Sequence, residues 1–359
     1  MIYTLASNIF WFIIALGILI FVHEFGHFIV ARKLGVGVTK FSFGFGPKLF
    51  GVRRGETEYL VSAVPLGGYV KLVGEGEGEE VPPEQADRSF NAKPTWVKMA
   101  IVAAGPAGNL IFAVLVFWFF FLGGLPSSTT KIGEVIEGAP AARAGLSKGD
   151  VVLRIDDVAV QNWEELAGRI SKGTPGKPIR FTVLRDGKET TISVAPEMRE
   201  GRNVFGEQVS EPKVGIAASG EVVYKEIGPG GAFVRGVKET WDLIYLTGMT
   251  VVKLVMRVLP SETLGGPILI AQIAGNQARQ GISPFAYILG VLSVNLGVLN
   301  LLPIPILDGG HLVFFSIEGI LGRPVSRQAR DMAQRLGLAL ILALTALVFY
   351  NDIVRLITR

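Results

Sequence analysis

Four stretches of this chain contain no charged residue: Leu5–Val22, Met99–Thr130, Gln280–Leu307 and Leu336–Asn351. About 20 apolar residues in a helix cross the roughly 30 Å of hydrocarbon in a bilayer, and each stretch is near or above that length. The last is short by itself, but Tyr350, Asn351 and the flanking Arg335 and Arg355 suit the interfaces at its ends. The pattern predicts four transmembrane helices. Ala232–Leu259 is apolar too, yet Arg235, Lys238, Asp242, Met249, Lys253 and Arg257 recur on one side at helical spacing. That stretch is expected to be an amphipathic helix lying along an interface. Between the first two spans, Val36–Leu72 alternates aromatic or β-branched residues with Gly and Pro, which predicts short strands and hairpins. The acidic run Glu75–Glu80 and the Val81–Gln85 stretch after it read as a solvated loop.

Composition agrees with a membrane protein: of 359 residues 49% are hydrophobic, and the mean hydropathy is +0.44. No basic residue precedes the first span. Arg32, Lys33, Lys40, Lys48, Arg53, Arg54, Lys71, Arg88, Lys93 and Lys98 follow it, and Arg323, Arg327, Arg330 and Arg335 separate the third span from the fourth. Basic loops stay in the cytoplasm, so the Gly124–Arg279 insert is expected outside. The net charge of +4 is then topogenic, and nothing points to nucleic acid. The first span lacks a cationic leader and a small-residue cleavage site, so it is not expected to be a removable signal. With no cysteine, the external part must hold itself together without disulfides.

The insert reads as strand, Gly/Pro-rich turn, short helix, strand, longer helix, and a hairpin turning at Asp186–Gly187. Its segment GAPAARAGLSKGDVVLRID (Gly138–Asp156) resembles the PDZ domain in its permuted bacterial form, with KVGIAAS (Lys213–Ser219) as the final strand. The resemblance implies that an extended peptide adds to a sheet edge here, although a PDZ copy can also serve as a spacer or size filter.

The first span carries chemistry at its end. In FVHEFGHFIV (Phe21–Val30), His23 and His27 are four apart and share a helical face, able to grip one metal ion. Glu24 is placed to reach a metal-activated water. This is the H-E-x-x-H arrangement of zinc peptidases, in which the glutamate moves the proton. Ionisable groups at membrane depth are costly and mark function by default. Zinc needs a third protein ligand, and Asp308, at the far end of the third span in NLGVLNLLPIPILDGGHLVF, arrives at the same depth. His311 follows by three residues and is the weaker candidate; an Asp before Gly-Gly is also a common turn former. Asn300 suits a hydrogen bond to the substrate backbone or oxyanion, and equally an interhelical bond. Asn109, in the small-residue stretch GPAGN, suits helix packing.

HEFGH in the first span, AAGPAGN (Ala103–Asn109) in the second and NLLPIPILDGGH in the third resemble the site-2 protease family of intramembrane metalloproteases. Within it, the order of span, PDZ insert and paired spans is similar to the bacterial regulator of sigma-E protease branch, with one PDZ module instead of two. The resemblance implies a zinc endopeptidase that cuts the transmembrane segment of single-span proteins, such as anti-sigma factors or signal-peptide remnants, after a site-1 type protease has cut outside. It implies Zn2+ on His23, His27 and Asp308, with Glu24 as catalytic base. It also implies that an edge strand in Val36–Leu72 holds the unwound substrate. The expected fold class is a polytopic α-helical membrane protein of four transmembrane helices in a bacterial inner membrane. A membrane-associated β-hairpin region lies on the cytoplasmic side, near the active site, and an α+β PDZ domain is inserted outside. The expected domains are 1–123 with its β-region at 36–75, the PDZ domain at 124–220, a linker with the interfacial helix at 221–283, and the last two spans at 284–359. A membrane PDZ scaffold with a vestigial site would have lost Glu24 or a ligand, and a metal transporter would repeat ligands along a path.

Overall fold

The computed structural model describes residues 2–76, 81–203 and 207–358; most of the Glu75–Glu80 run, expected as a solvated loop, lies outside them. Two compact units emerge, one of residues 1–120, 233–252 and 260–359, the other of 121–232 and 253–259.

In the first unit, helix α1 (Ile2–Lys33) runs 32 residues, roughly 48 Å, without a proline. It stops where Gly35 adopts φ +71° and the Val36 N–H bonds back to the Ala31 carbonyl, a glycine-terminated cap. Strands β1 (Val38–Arg54) and β2 (Thr57–Leu72) follow. They do not make a plain hairpin. Lys40–Phe43 has partners on both sides, Glu58–Val61 on one and Gly68–Lys71 on the other, while Phe50–Arg54 folds back on Thr57–Val61. The Gly68–Leu72 segment is therefore an edge, with no further strand beyond it among the described residues. Helix α2 (Thr95–Leu122) ends earlier than the uncharged stretch suggests, at the turn around Gly124 (φ +103°).

The inserted unit begins with β3 (Leu125–Ser128) and closes with β12, which pair antiparallel, so entry and exit are joined. Between them come β4 (Ile132–Val135), α3 (Pro140–Ala144), β5 (Val151–Ile155), β6 (Val158–Ala159), α4 (Trp163–Ser171), β7 (Ile179–Arg185), β8 (Lys188–Val194), β9 (Glu197–Arg202), β10 (Gln208–Lys213), β11 (Ile216–Ala218) and β12 (Val222–Lys225). The central sheet has the order β6-β5-β7-β8, and β11 pairs with β4. Asp186 and Gly187 both take positive φ, the turn that matches strand twist in a two-residue hairpin. Alternate residues Ile179, Phe181 and Val183 face a core shared with Val152, Leu166 and Ile170. Asp150, buried beside this core, accepts two 2.7 Å bonds from the Arg185 guanidinium and one of 2.9 Å from the Ser147 N–H.

Back in the first unit come α5 (Pro229–Val255), α6 (Pro267–Gln280), α7 (Ile282–Asn300), α8 (Asp308–Leu321) and α9 (Arg327–Ile357). By length and apolarity α1, α2, α7 and α9 suit membrane crossing, in agreement with four expected spans. Tyr287 donates to Glu239 and Thr247 donates to Asn295, both at 2.7 Å and both across 48 residues, so α5 runs beside α7 in a common register. Part of its polar side is met within the protein, by the Arg235–Glu239 pair and by α7, while Lys238 and Asp242 pair at the exposed surface.

Asp150 supplies a test of the inserted unit. Burial alone pushes its carboxyl up, but the Arg185 and Ser147 bonds outweigh that and hold it below the ordinary range. A depressed folded-state pKa stabilises above the unfolded value of about 3.9 and is lost as pH falls through the folded one. Asp150→Asn should cost about 1–3 kcal/mol at neutral pH, read as faster amide exchange in β5 and β7 of the full chain. The difference from wild type should shrink in acid.

Candidate metal centre

The HExxH spacing on α1 places the rings of His23 and His27 one turn apart, with centroids at 4.8 Å and Nε2 atoms at 3.2 Å. Asp308 completes the group: its Oδ2 is 3.1 Å from His23 Nε2 and its Oδ1 3.6 Å from His27 Nε2. These three side chains form the one convergent metal-ligating group among the described residues, and His311 is not in it. Asp308 reaches the site as the first residue of α8, where the helix dipole favours a carboxylate. The Gly-Gly that follows is a packing device. A Cβ on Gly309 would collide with the Leu301 and Leu302 carbonyls, and one on Gly310 with the Ile304 carbonyl. The start of α8 is thus pressed onto the irregular segment 301–307.

The donor set fits a zinc ion. Bonds of about 2.0–2.1 Å in a tetrahedron separate ligand atoms by roughly 3.3 Å, close to the spacings of 3.1, 3.2 and 3.6 Å here. Without a cation the group is unsatisfied: Asp308 Oδ2 is buried with no hydrogen-bond partner among the described residues, and facing Nε2 atoms cannot both donate. Two imidazoles and one carboxylate leave a fourth position free, as catalytic zinc requires.

Helix α2 shapes the other side. The Ile101 carbonyl accepts from His27 Nδ1 at 2.8 Å, which fixes the proton there and leaves Nε2 for metal. One turn on, a Cβ at Gly105 would collide with His27 Nε2 and lie 2.9 Å from His23 Cε1. Gly26 of α1 in turn lies so close to α2 that a Cβ would collide with the Ala104 carbonyl. A turn beyond Gly105, Asn109 is fully buried with its side-chain amide 3.2 Å from His23 Nδ1. The sequence pattern reads Asn109, with Gly105 in the same GPAGN stretch, as helix packing and does not single out Ile101. The four-residue spacing of 101, 105 and 109 was the available signal, but a backbone carbonyl has no residue type to read.

Glu24 points towards β2: a Cβ on Gly68 would lie 3.2 Å from its Cγ, and Val70 supplies it a backbone hydrogen bond. The carboxylate therefore sits against the edge segment of the sheet. Asn300 ends α7 half-buried, with no side-chain hydrogen bond among the described residues.

Residues 11–344 match peptidase family M50. A protein of Mesorhizobium japonicum named as a zinc metalloprotease is 37% identical over 362 residues, covering 95% of this chain and 97% of the relative. The regulator of sigma-E protease RseP of Escherichia coli is 32% identical over 444 residues, covering 96% of this chain and 98% of its own. That alignment exceeds the length of this chain, so the relative carries inserted sequence.

Two substitutions test the geometry. Asp308→Ala should strip zinc from the purified protein while His311→Ala retains it, and the reverse pattern in metal analysis would identify the wrong third ligand. Gly105→Ala should also lose zinc, because the new methyl occupies the space of the imidazoles; unaltered metal content would contradict the close packing of α2 on the site.

Proposed function

This chain belongs to peptidase family M50 and is a zinc metalloprotease, and from that premise we propose that it cuts the transmembrane segments of single-span membrane proteins. The observation that carries this reading is the depth of the site. His23 and His27 lie in a 31-residue apolar helix and Asp308 meets them there, so a peptide bond reaching them must come from within the bilayer or its edge.

In this reading His23, His27 and Asp308 hold the zinc, which when bound supplies a Lewis acid that polarises the scissile carbonyl and acidifies water. Glu24 takes the proton of the attacking water and delivers it to the leaving amine. The Gly68–Leu72 segment, an edge of the sheet beside Glu24, is suited to an unwound stretch of substrate added as a strand. Asn300, with its amide uncommitted, donates to the substrate backbone or to the developing oxyanion. A helical substrate has no backbone donors to spare, so local unwinding precedes the cut.

The basic residues between α1 and α2 and between α8 and α9 favour a cytoplasmic position for those loops. The site then lies near the cytoplasmic side of a bacterial inner membrane, with the inserted unit outside. That unit is read as the PDZ domain: the groove between α4 and β11, walled by Ile136, Trp163, Leu166, Ile170, Val214 and Ile216, takes an extended peptide or excludes bulky substrates. The resemblance to regulator of sigma-E protease supports anti-sigma-factor-like substrates already trimmed by another protease. A scaffold with a dead site has no use for Glu24 in its present place.

Glu24→Gln should keep zinc bound while cleavage falls by roughly 10²–10⁴-fold or more; near-normal turnover would sink the assignment. Deleting about residues 132–219 behind a flexible linker should leave zinc in place and allow cutting of reporters with long as well as short external parts. If the short reporter is no longer cut although zinc is bound, the module presents substrate rather than filtering it.

A further inference from the structure

The two imidazoles are not held alike. His27 Nδ1 faces a backbone carbonyl, which can only accept, so its tautomer is settled by Ile101. His23 Nδ1 faces the amide of Asn109, which can present either an acceptor or a donor. Asn109 is wholly buried, its Oδ1 has no hydrogen-bond partner among the described residues, and its Nδ2 is the atom placed 3.2 Å from the ring. A His23 that gives Nε2 to a metal must carry its proton on Nδ1. A donor facing that proton is unfavourable; an acceptor is required. The oxygen and nitrogen of an amide differ little in shape, and their assignment follows from the hydrogen-bond network. Turning the amide by half a rotation brings the unpartnered Oδ1 onto Nδ1–H.

We propose that Asn109 is the positioning residue for His23: its side-chain carbonyl accepts the Nδ1 proton and thereby holds the ring as an Nε2 zinc ligand. This rests on the reading of His23 as a ligand. The backbone around Asn109 is anchored for such a task. The buried Ser293 hydroxyl of α7 donates to the Asn109 carbonyl at 2.8 Å, and Gly297, one turn further along α7, is packed 3.1 Å from the Pro106 carbonyl through the position of its missing Cβ. Three helices thus meet at Asn109, and its side chain has few places to go other than the ring. Ile101 and Asn109, two turns apart on α2, would orient one imidazole each, with Gly105 between them leaving room for both.

The test measures zinc affinity of the full-length protein in detergent, by competition with a chromogenic chelator. Asn109→Leu keeps the volume and removes the acceptor; it should weaken zinc roughly 10–100-fold, the usual range for lost outer partners of a ligand. Asn109→Asp keeps the acceptor and should stay within a few-fold of wild type. Ser293→Ala removes an anchor of the Asn109 backbone but not the acceptor, and should weaken zinc clearly less than Asn109→Leu does. Wild-type affinity in N109L overturns the proposal. Equal loss in N109L and N109D, or in N109L and S293A, assigns the effect to packing and overturns it too. If N109D does not fold, ¹⁵N NMR of the zinc-loaded wild type decides: a proton on His23 Nδ1 with metal on Nε2 is expected, and metal on Nδ1 is the contrary result. His23→Ala separates the premise from the inference, since zinc retained there would refute the ligand assignment itself.

Discussion

Two imidazoles from a helix of membrane-crossing length meet a carboxylate at the start of α8, an arrangement that cannot stand uncompensated. Isolated polar groups taken out of water cost several kcal/mol each unless bonded or coordinated, and Asp308 Oδ2 has no hydrogen-bond partner among the described residues. A divalent cation removes the deficit at once. Much of the surrounding sequence follows from the need to bring three ligand atoms within 3.1–3.6 Å of one another. Gly26 and Gly105 let α1 and α2 close up, and Gly309 and Gly310 seat α8 on segment 301–307.

The same constraint explains why irregular and extended backbone is placed where it is. Segment 301–307 and the β1–β2 sheet carry backbone groups that lipid would not satisfy, and such chain at membrane depth is tolerated only against protein or water. Hydrolysis needs water at the metal in any case. Helix α5, set lengthwise beside α7, adds further cover to the α2–α7 side of the same unit.

Sequence alone disclosed the parts of this that depend on local spacing. The i, i+4 histidines, the uncharged runs and the Asp186–Gly187 hairpin are all encoded within a few residues of themselves. Asp308 was legible because the end of one span must return to the depth of another. What was hidden depends on partners distant in the chain. Nothing local in the polar stripe of α5 says that Tyr287 and Asn295 would meet it. The two-sided pairing of Lys40–Phe43 is a matter of strand order, which alternation does not specify. The contact of Asn109 with His23, 86 residues away, is likewise invisible to local spacing.

The central claim is that two histidines and one aspartate, with a free fourth position, hold a zinc ion within the spans. Zinc K-edge X-ray absorption of the purified, active protein measures that shell directly. Four light-atom ligands at about 2.0–2.1 Å, with imidazole scattering for two rings, are expected. A shell with three imidazoles, which would bring in His311, or with only one, would contradict that claim.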